Sequence, residues 1–214
     1  MRTPSTEAEA VEIQQRLRHR VELSGTDVSA ARTAVGLDVD YTGDRIVAAA
    51  VVLEVATLEV IQTSVAEGET SFPYIPGLFA FREVPTLLAA LDGLDEAPGV
   101  LVCDGQGLAH PRRFGLACHL GVITGLPAIG VAKTPLGRFD MPGPERGART
   151  PLLHDDGGEV GAALRTRDGV KPVFVSVGHR TDLDSACALT LKLTPKYRVP
   201  ETTRLADQLC RQSP

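Results

Sequence analysis

The chain has 214 residues, of which 43% are hydrophobic and 23% charged, which predicts one soluble globular domain over residues 1–214 with its own core. Its four widely spaced cysteines argue against a zinc ribbon or a disulfide scaffold and favour a reducing cytoplasm. The sequence also predicts no signal peptide and no membrane-spanning run. The net charge of −5 argues by itself against a nucleic-acid partner, although metal ions bound to carboxylates would reverse the local charge.

The first half of the chain predicts a helix followed by an antiparallel meander. Thr6 and Glu9 have capping-box spacing, and apolar residues recur at helical intervals up to residue 23. Three β-rich runs separated by turns follow, and then a loop, SFPYIPG, that contains two prolines. The predicted elements are a helix over 6–23, strands over 34–41, 45–55 and 57–66, a helix over 84–94 and a strand over 99–105.

The second half alternates between helices and strands around a polar loop over 134–150 that is rich in glycine and proline. The predicted elements are a helix over 115–121, a strand over 127–132, the strands EVGAALRT and PVFVSVGH, and helices over 182–193 and 200–210. Three strands followed by such alternation predict an α/β fold with a mixed central sheet flanked by helices. This is the ribonuclease H-like order of elements.

Two aspartates stand at positions that suggest a metal site. Asp38 lies within a strand and alternates with apolar neighbours, and Asp104 ends a second strand directly before Gly105. If the two strands are adjacent, both carboxylates face one point and offer the oxygen ligands that magnesium or manganese prefers. The alternative is that strand-end aspartates cap turns, which is a fair competitor for Asp104. Taken alone, Glu83 reads as a solvated residue of a helix start and Asp207 as a surface residue.

Over nearly its whole length the sequence resembles the endonuclease V family. The resemblance depends on several long motifs that occur in the family's order. The matching segments are GLDVDY (36–41), FPYIPGLFAFRE (72–83), CDGQGLAHPRRFGLACHLG (103–121), PAIGVAK (127–133), VSVGHR (175–180) and YRVPETTRLAD (197–207). The sequence departs from the common pattern with Gln106 and Thr134, and neither departure removes a metal ligand.

The resemblance implies a ribonuclease H-like fold and a metal-dependent endonuclease of DNA repair. Such an enzyme hydrolyses the second phosphodiester bond 3′ to hypoxanthine and leaves a 3′-hydroxyl and a 5′-phosphate. Mg²⁺, with Mn²⁺ as a substitute, would be the cofactor, and two ions about 4 Å apart would activate water and neutralise charge. The family's metal ligands fall on Asp38, Glu83, Asp104 and Asp207, and its lysine near the scissile phosphate falls on Lys133.

The resemblance also implies a set of substrate-binding residues. Tyr74 matches an aromatic wedge that fills the gap left by an extruded base, although a tyrosine between prolines is more often a packing residue. Gly77, Gly105 and Gly107 would let the backbone approach the base closely. His110 lies in the same matching segment as Arg112. We expect Arg112 to contact phosphate, and the alternative is a solvated surface residue. The expected partner is DNA containing deoxyinosine, bound by a monomer.

Three alternatives remain open at this point. The same fold and chemistry fit an endoribonuclease specific for inosine in RNA. A binding module without catalysis is disfavoured because it would gain nothing from a cluster of acids facing phosphate. A glycosidase with paired carboxylates is disfavoured because the chain has no tryptophan and only 4% aromatic residues, too few for a sugar-binding platform.

Overall fold

A computed structural model describes residues 3–212 and places all of its named strands in one mixed sheet. The strands are β1 (Thr33–Thr42), β2 (Arg45–Glu54), β3 (Val60–Glu69), β4 (Leu101–Cys103), β5 (Ala128–Ala132), β6 (Arg149–Leu153), β7 (Glu159–Leu164) and β8 (Val173–His179). Their order across the sheet is β3-β2-β1-β4-β5-β8-β7-β6. Strands β1, β4 and β5 run parallel at its centre, and the remaining pairs are antiparallel.

Helices cover both faces of the sheet. They are α1 (Glu7–Arg18), α2 (Ala80–Asp92), α3 (Leu116–Thr124), α4 (Leu183–Lys192) and α5 (Glu201–Gln212). Alternation along the central strands divides the core: Val35 and Leu37 of β1 pack with α2 and α3, whereas Ala34 of the same strand packs with α4. Helix α5 lies over β1 and β2 on the α4 face. Among residues 3–212, no helix is long and apolar enough to span a membrane.

The predicted meander and the later alternation agree with this architecture, but the polar loop predicted over 134–150 ends in a strand that was missed. Pro151 lies inside β6. A proline normally argues against a strand, because it has no backbone N–H to donate to a neighbouring strand. Strand β6 stands at the edge of the sheet, where such a donor is not needed. The predicted first helix also extended too far, since α1 ends at Arg18.

Helix α5 approaches the sheet directly over Gly36 of β1. A Cβ atom at this position would lie 2.1 Å from the carbonyl carbon of Thr202, which is backbone and cannot move independently. Thr202, Thr203 and Ala206 on this side of α5 are buried. The missing side chain at position 36 therefore sets the distance between α5 and β1.

We expect Gly36→Ala to lower the free energy of unfolding by about 2–3 kcal/mol, because the added methyl group forces α5 away from the sheet. Urea denaturation measures this change. Gly105→Ala is the matched control, since its Cβ would meet only the side chain of Leu116 at 3.6 Å, and it should change stability by less than about 1 kcal/mol. Equal losses in the two variants would contradict the proposed packing constraint.

Candidate active site

Strand pairing brings Asp38 and Asp104 together at one end of the sheet. In the parallel pair of β1 and β4, Leu37 is the register partner of Cys103, and each aspartate is the next residue along its chain. The amide of Asp104 donates to the carbonyl of Leu37 at 3.3 Å. The Oδ1 atom of Asp38 accepts from the amide of Val39 at 2.9 Å. The predicted adjacency of the two strands is therefore present in the structure.

Lys133 supplies a positive charge to this pair. It follows β5, the next parallel strand, and its ammonium group donates to Oδ2 of Asp104. Partial burial lowers the pKa of Lys133, but the hydrogen bond and the charges of the nearby aspartates outweigh that effect, so the pKa is raised and the group stays protonated. Lys133 therefore neutralises part of the acidic charge without a bound ion.

Arg198 fixes the backbone beneath Lys133 and was not singled out from the sequence. Its guanidinium donates to the carbonyls of Lys133 at 2.8 Å, Pro172 at 2.7 Å and Lys171 at 2.9 Å. These bonds tie the segment after β5 to the segment before β8. The only available signal was its place in the YRVPETTRLAD motif.

Asp207 and Glu83 approach the pair from the two helical layers. Asp207 lies on α5 and forms an ion pair with Arg211 at 2.8 Å, yet its charge still raises the pKa of Asp38. Glu83 lies in the first turn of α2, where its Oε1 accepts from the hydroxyl of Tyr41 at 3.0 Å. Tyr41, which the sequence-based prediction did not include, thus links the end of β1 to α2.

The carboxylates suppress one another's ionisation. Burial raises the pKa of Asp38 to about 7, with the negative charge of Asp104 as the next cause and the Val39 amide opposing both. Burial likewise raises the pKa of Glu83 to about 8, where the Tyr41 hydrogen bond opposes the shift and the charges of Asp38 and Asp104 add to it. Two carboxyl groups with pKa values near neutrality show that negative charge is unfavourable in this partly desolvated cluster. A bound cation would stabilise that charge.

Within residues 3–212, no three His, Cys, Asp or Glu side chains are already close enough together to hold a metal ion. Asp104 is paired with Lys133 and Asp207 with Arg211, so side-chain rotations would be needed to bring the predicted ligands onto one ion. The chemistry of the set nevertheless fits a hard divalent cation, because all four groups are carboxylates and two of them have raised pKa values. The residues therefore fit the ion by type, while their side chains are not preassembled around it.

The two departures from the family pattern contact each other beside this cluster. The side-chain Nε2 of Gln106 donates to the carbonyl of Thr134 at 2.9 Å, joining the segments that follow β4 and β5. The Oε1 atom of Gln106 is buried and has no hydrogen-bond partner within the described residues. Gln106 and Thr134 thus join two segments next to the site, and neither is one of the predicted metal ligands.

Residues 72–78, named here the Tyr74 loop, present an exposed aromatic ring between two buried ends. Tyr74 is 73% exposed, whereas Phe72 and Leu78 are buried in a cluster with α1. Arg82 of α2 donates to the carbonyl of Phe72 at 2.6 Å and lies over the ring of Tyr41 at 5.3 Å. The alternative role of Tyr74 as a packing residue does not fit this exposure.

Two residues predicted to contact substrate are instead bonded within the protein. His110 is 2% exposed, and its Nε2 atom lies 3.0 Å from the carbonyl oxygen of Gly77. Arg112 donates to the same oxygen at 2.6 Å and to Oε1 of Gln14 at 2.5 Å. The guanidinium of Arg112 is held at the base of the Tyr74 loop, and its contact with phosphate stays a prediction.

Of the three glycines predicted to approach the base, two are explained by the fold itself. A Cβ atom at Gly107 would lie 2.1 Å from the carbonyl oxygen of Val177, and the Gly107 amide donates to Ser176, so packing against β8 accounts for this glycine. Gly77 has φ +78°, which accounts for its identity in a turn. Only at Gly105 does the protein leave room, with Leu116 at 3.6 Å from a Cβ atom. Of the three, Gly105 keeps the predicted role most readily.

The sequence model of the endonuclease V family matches residues 15–208. This chain belongs to the endonuclease V family. An endonuclease V from Streptomyces avermitilis is 61% identical over 215 residues, covering 98% of this chain and 93% of that protein. The resemblance inferred from the motifs is therefore confirmed, and the chain is a nuclease. Neither a binding module without catalysis nor a glycosidase agrees with this membership.

Solved structures agree with the fold. The crystal structure of the endonuclease V from Streptomyces avermitilis superposes with a TM-score of 0.94 at 60% identity, covering 99% of this chain and 94% of that one. An endonuclease V from Ciona intestinalis, in complex with a 24mer DNA containing an inosine followed by a ribo-adenosine, has a TM-score of 0.85 at 28% identity and covers 96% of each chain. The predicted α/β, ribonuclease H-like architecture with a mixed, helix-flanked sheet is confirmed.

The raised pKa of Asp38 predicts a pH-dependent cost to stability. Below pH 3.8 the group is protonated in both states, and between pH 3.8 and about 7 the folded state binds more protons, so stability falls as pH rises. With metal chelated, we expect Asp38→Asn to be roughly 1–3 kcal/mol more stable than the wild type at pH 8. Urea denaturation from pH 4 to pH 8 measures the difference, which should vanish at the acid end.

Asp155→Asn, an exposed change in the turn between β6 and β7, controls for the loss of one net charge. A stability gain in Asp38→Asn that persists undiminished at pH 4 would show that ionisation of Asp38 is not the cause. A clear loss of stability would assign Asp38 a structural role.

Proposed function

We propose that this chain is a magnesium-dependent endonuclease that acts on DNA containing deoxyinosine. It hydrolyses the second phosphodiester bond 3′ to the lesion and leaves a 3′-hydroxyl and a 5′-phosphate. The observation that carries the proposal is the convergence of Asp38 and Asp104 at the ends of two parallel strands, with Lys133 bonded to Asp104. The inosine-containing DNA bound by the Ciona intestinalis relative supports the substrate class.

In the proposed mechanism the carboxylates of Asp38, Glu83, Asp104 and Asp207 hold Mg²⁺, with Mn²⁺ as a substitute. The bound metal would activate water and neutralise charge on the phosphoryl group. Asp38 interacts electrostatically with the other three acids, so it would belong to the ligand set of a cation held there. Raised pKa values mean that Asp38 and Glu83 must each lose a proton before they can serve as ligands at neutral pH.

Lys133 contributes a point charge to the scissile phosphate in this proposal. Its ammonium is half-exposed, so it can turn from Asp104 toward a phosphate at the surface without crossing the core. A cation held by Asp104 would weaken the attraction between that carboxylate and Lys133. Arg198 meanwhile keeps the backbone of Lys133 in place.

Lesion recognition is assigned to the Tyr74 loop. A hypoxanthine pairs more weakly than the original base, so its extrusion costs less, and an exposed ring can replace the lost stacking. Tyr74 meets that requirement at 73% exposure. Gly105, where the protein leaves room, would give the backbone access to the extruded base.

A second candidate substrate is inosine in RNA. The DNA bound by the Ciona intestinalis relative carries a ribo-adenosine after its inosine, so a ribose next to the lesion is compatible with the fold of that relative. The present chain uses the same predicted carboxylates in either case. Matched DNA and RNA oligomers with one inosine would separate the two activities.

The proposed setting is a cytoplasmic monomer that acts as one domain. All four cysteines are buried and free, which suits a reducing compartment. Every named strand of the described chain belongs to one sheet, which supports a single domain. Size-exclusion chromatography with light scattering would test the monomer.

The decisive experiment maps the cut. We expect an end-labelled duplex with one inosine, incubated with Mg²⁺, to be nicked at the second phosphodiester bond on the 3′ side, with a 3′ end that a polymerase extends. Asp38→Asn and Asp104→Asn should each lower the rate by at least about a hundredfold, because they remove oxygen charge from the reacting centre. Release of a free base, or undiminished nicking by both variants, would refute the proposed chemistry.

Tyr74→Ala separates recognition from chemistry. Loss of one base–aromatic stack costs about 1–3 kcal/mol, so we expect roughly a ten- to hundredfold weaker affinity for inosine-containing duplex. Tyr74→Phe should restore most of it, since the ring rather than the hydroxyl fills the gap. Fluorescence titration against duplex and single-stranded DNA measures the effect, and the single strand should show a smaller loss. Normal binding with failed cutting would argue against a wedge.

A further inference from the structure

The Tyr74 loop contains a turn whose carbonyl is surrounded by donors from two other parts of the chain. Ile75 accepts from the amide of Leu78 at 2.9 Å, and Gly77 has φ +78°, which together with Pro76 define a type II turn. In such a turn the central peptide groups have no partners within the turn itself. The carbonyl oxygen of Gly77 accepts instead from Gln14, His110 and Arg112.

Gln14 is the central member of this set. It lies on α1, is fully buried, and donates from Nε2 to the carbonyls of Gly77 at 3.0 Å and Phe114 at 3.3 Å. Its Oε1 accepts from Nε of Arg112 at 2.5 Å. Each polar atom of its side chain is therefore used, and the three partners come from distant parts of the sequence. A fully buried amide of this kind is costly unless all of its bonds form together.

The His110 ring is held in one tautomer by its neighbours. Its Nδ1 accepts from the amide of Arg112 at 3.2 Å, which leaves the hydrogen on Nε2 to be donated to Gly77. Burial, with the charge of Arg112 as the next cause, lowers the pKa of His110 to about 4, so the ring is neutral. The three donors therefore keep their roles throughout the neutral pH range.

The other end of the loop is fixed separately. Arg82 holds the carbonyl of Phe72, while Phe72, Leu78 and Ala10 pack in one cluster with α1. Tyr74 stands between these two anchored ends and is itself exposed. A loop restrained at both ends loses less conformational entropy when its central residue enters a ligand.

We propose that Gln14 is a positioning residue for lesion recognition, which acts by fixing the carbonyl of Gly77 and so holding Tyr74 ready before DNA binds. This inference rests on the proposed role of Tyr74. Gln14 touches neither the carboxylates nor the reacting phosphate. Its loss should therefore weaken the binding of the lesion and leave the chemical step intact.

The chain contains no tryptophan, so Tyr74→Trp gives a single indole that reports on the loop. In DNA-free protein carrying this change, we expect Gln14→Leu to lower the fluorescence anisotropy of the indole and increase its quenching by acrylamide. Gln15→Leu is the matched control, because it makes the same chemical change at the next, exposed position of α1. Equal anisotropy in the two variants would overturn the proposal.

With Tyr74 restored, kinetics on inosine-containing duplex test the functional half. We expect Gln14→Leu to raise KM about tenfold, because the loosened loop must then be ordered when DNA binds, while kcat at saturating substrate stays within about twofold of the wild type. Gln15→Leu should change neither. An unchanged KM, or a fall in kcat as large as the rise in KM, would overturn the positioning role.

Gln14→Glu keeps the inference testable if Gln14→Leu fails to fold. A carboxylate retains the acceptor for Arg112 but cannot donate to Gly77, so the loop should still loosen. The anisotropy measurement needs no substrate, and it therefore tests whether Gln14 restrains the Tyr74 loop separately from the proposed function. If Tyr74→Ala binds the lesion normally while the indole still responds to Gln14→Leu, then Gln14 restrains the loop and the wedge assignment is wrong.

Discussion

Repulsion among carboxylates at one end of the sheet is the constraint on which the site depends. Parallel pairing of β1 with β4 holds the backbones of Asp38 and Asp104 side by side, because each aspartate directly follows a member of the Leu37–Cys103 pair. The fold compensates with the Lys133 ammonium, the Val39 amide and the Tyr41 hydroxyl, and the pKa values of Asp38 and Glu83 nevertheless stay high. Burial, followed by the repulsion that remains among the carboxylates, raises these pKa values and favours the cation of the proposed mechanism.

The elements around this cluster act mainly to hold it in place against that repulsion. Helix α5 is seated on Gly36, two residues before Asp38, and thereby brings Asp207 to the same end of the sheet. Arg198 fixes the backbone of Lys133, and Arg82 connects the first turn of α2 to the Tyr74 loop. The carboxylate cluster and the Tyr74 loop are thus connected through α2, which carries both Glu83 and Arg82.

How much could be predicted from the sequence depends on how local the determining physics is. Strand alternation and chain order suggest that Asp38 and Asp104 share a metal site, but they leave turn capping as an alternative for Asp104. Glu83 and Asp207 could be assigned only by family resemblance, because an acid on a helix resembles any solvated side chain until the helix is docked. Strand β6 could not be predicted because it contains Pro151, a residue that a strand accommodates mainly at the edge of a sheet.

The contacts of His110 and Arg112 could not be predicted for a different reason. Their side chains are oriented by hydrogen bonds to the carbonyl of Gly77, which comes close to them only when the chain has folded. Gln14 gave a weak signal, a polar residue next to the apolar positions of α1, whose burial depends on partners far away in sequence. Contacts that join three separate segments cannot be read from any one of them.

The packing of α5 on β1 also has a consequence for folding. Helix α5 carries Asp207, follows every strand of the sheet in chain order and packs against β1, so these contacts join distant parts of the sequence. The entropy cost of closing such a long loop comes before the contacts can contribute to stability. In a partly folded chain whose β1 and β4 pair before α5 docks, Asp38 and Asp104 are already adjacent while Asp207 is not yet beside them.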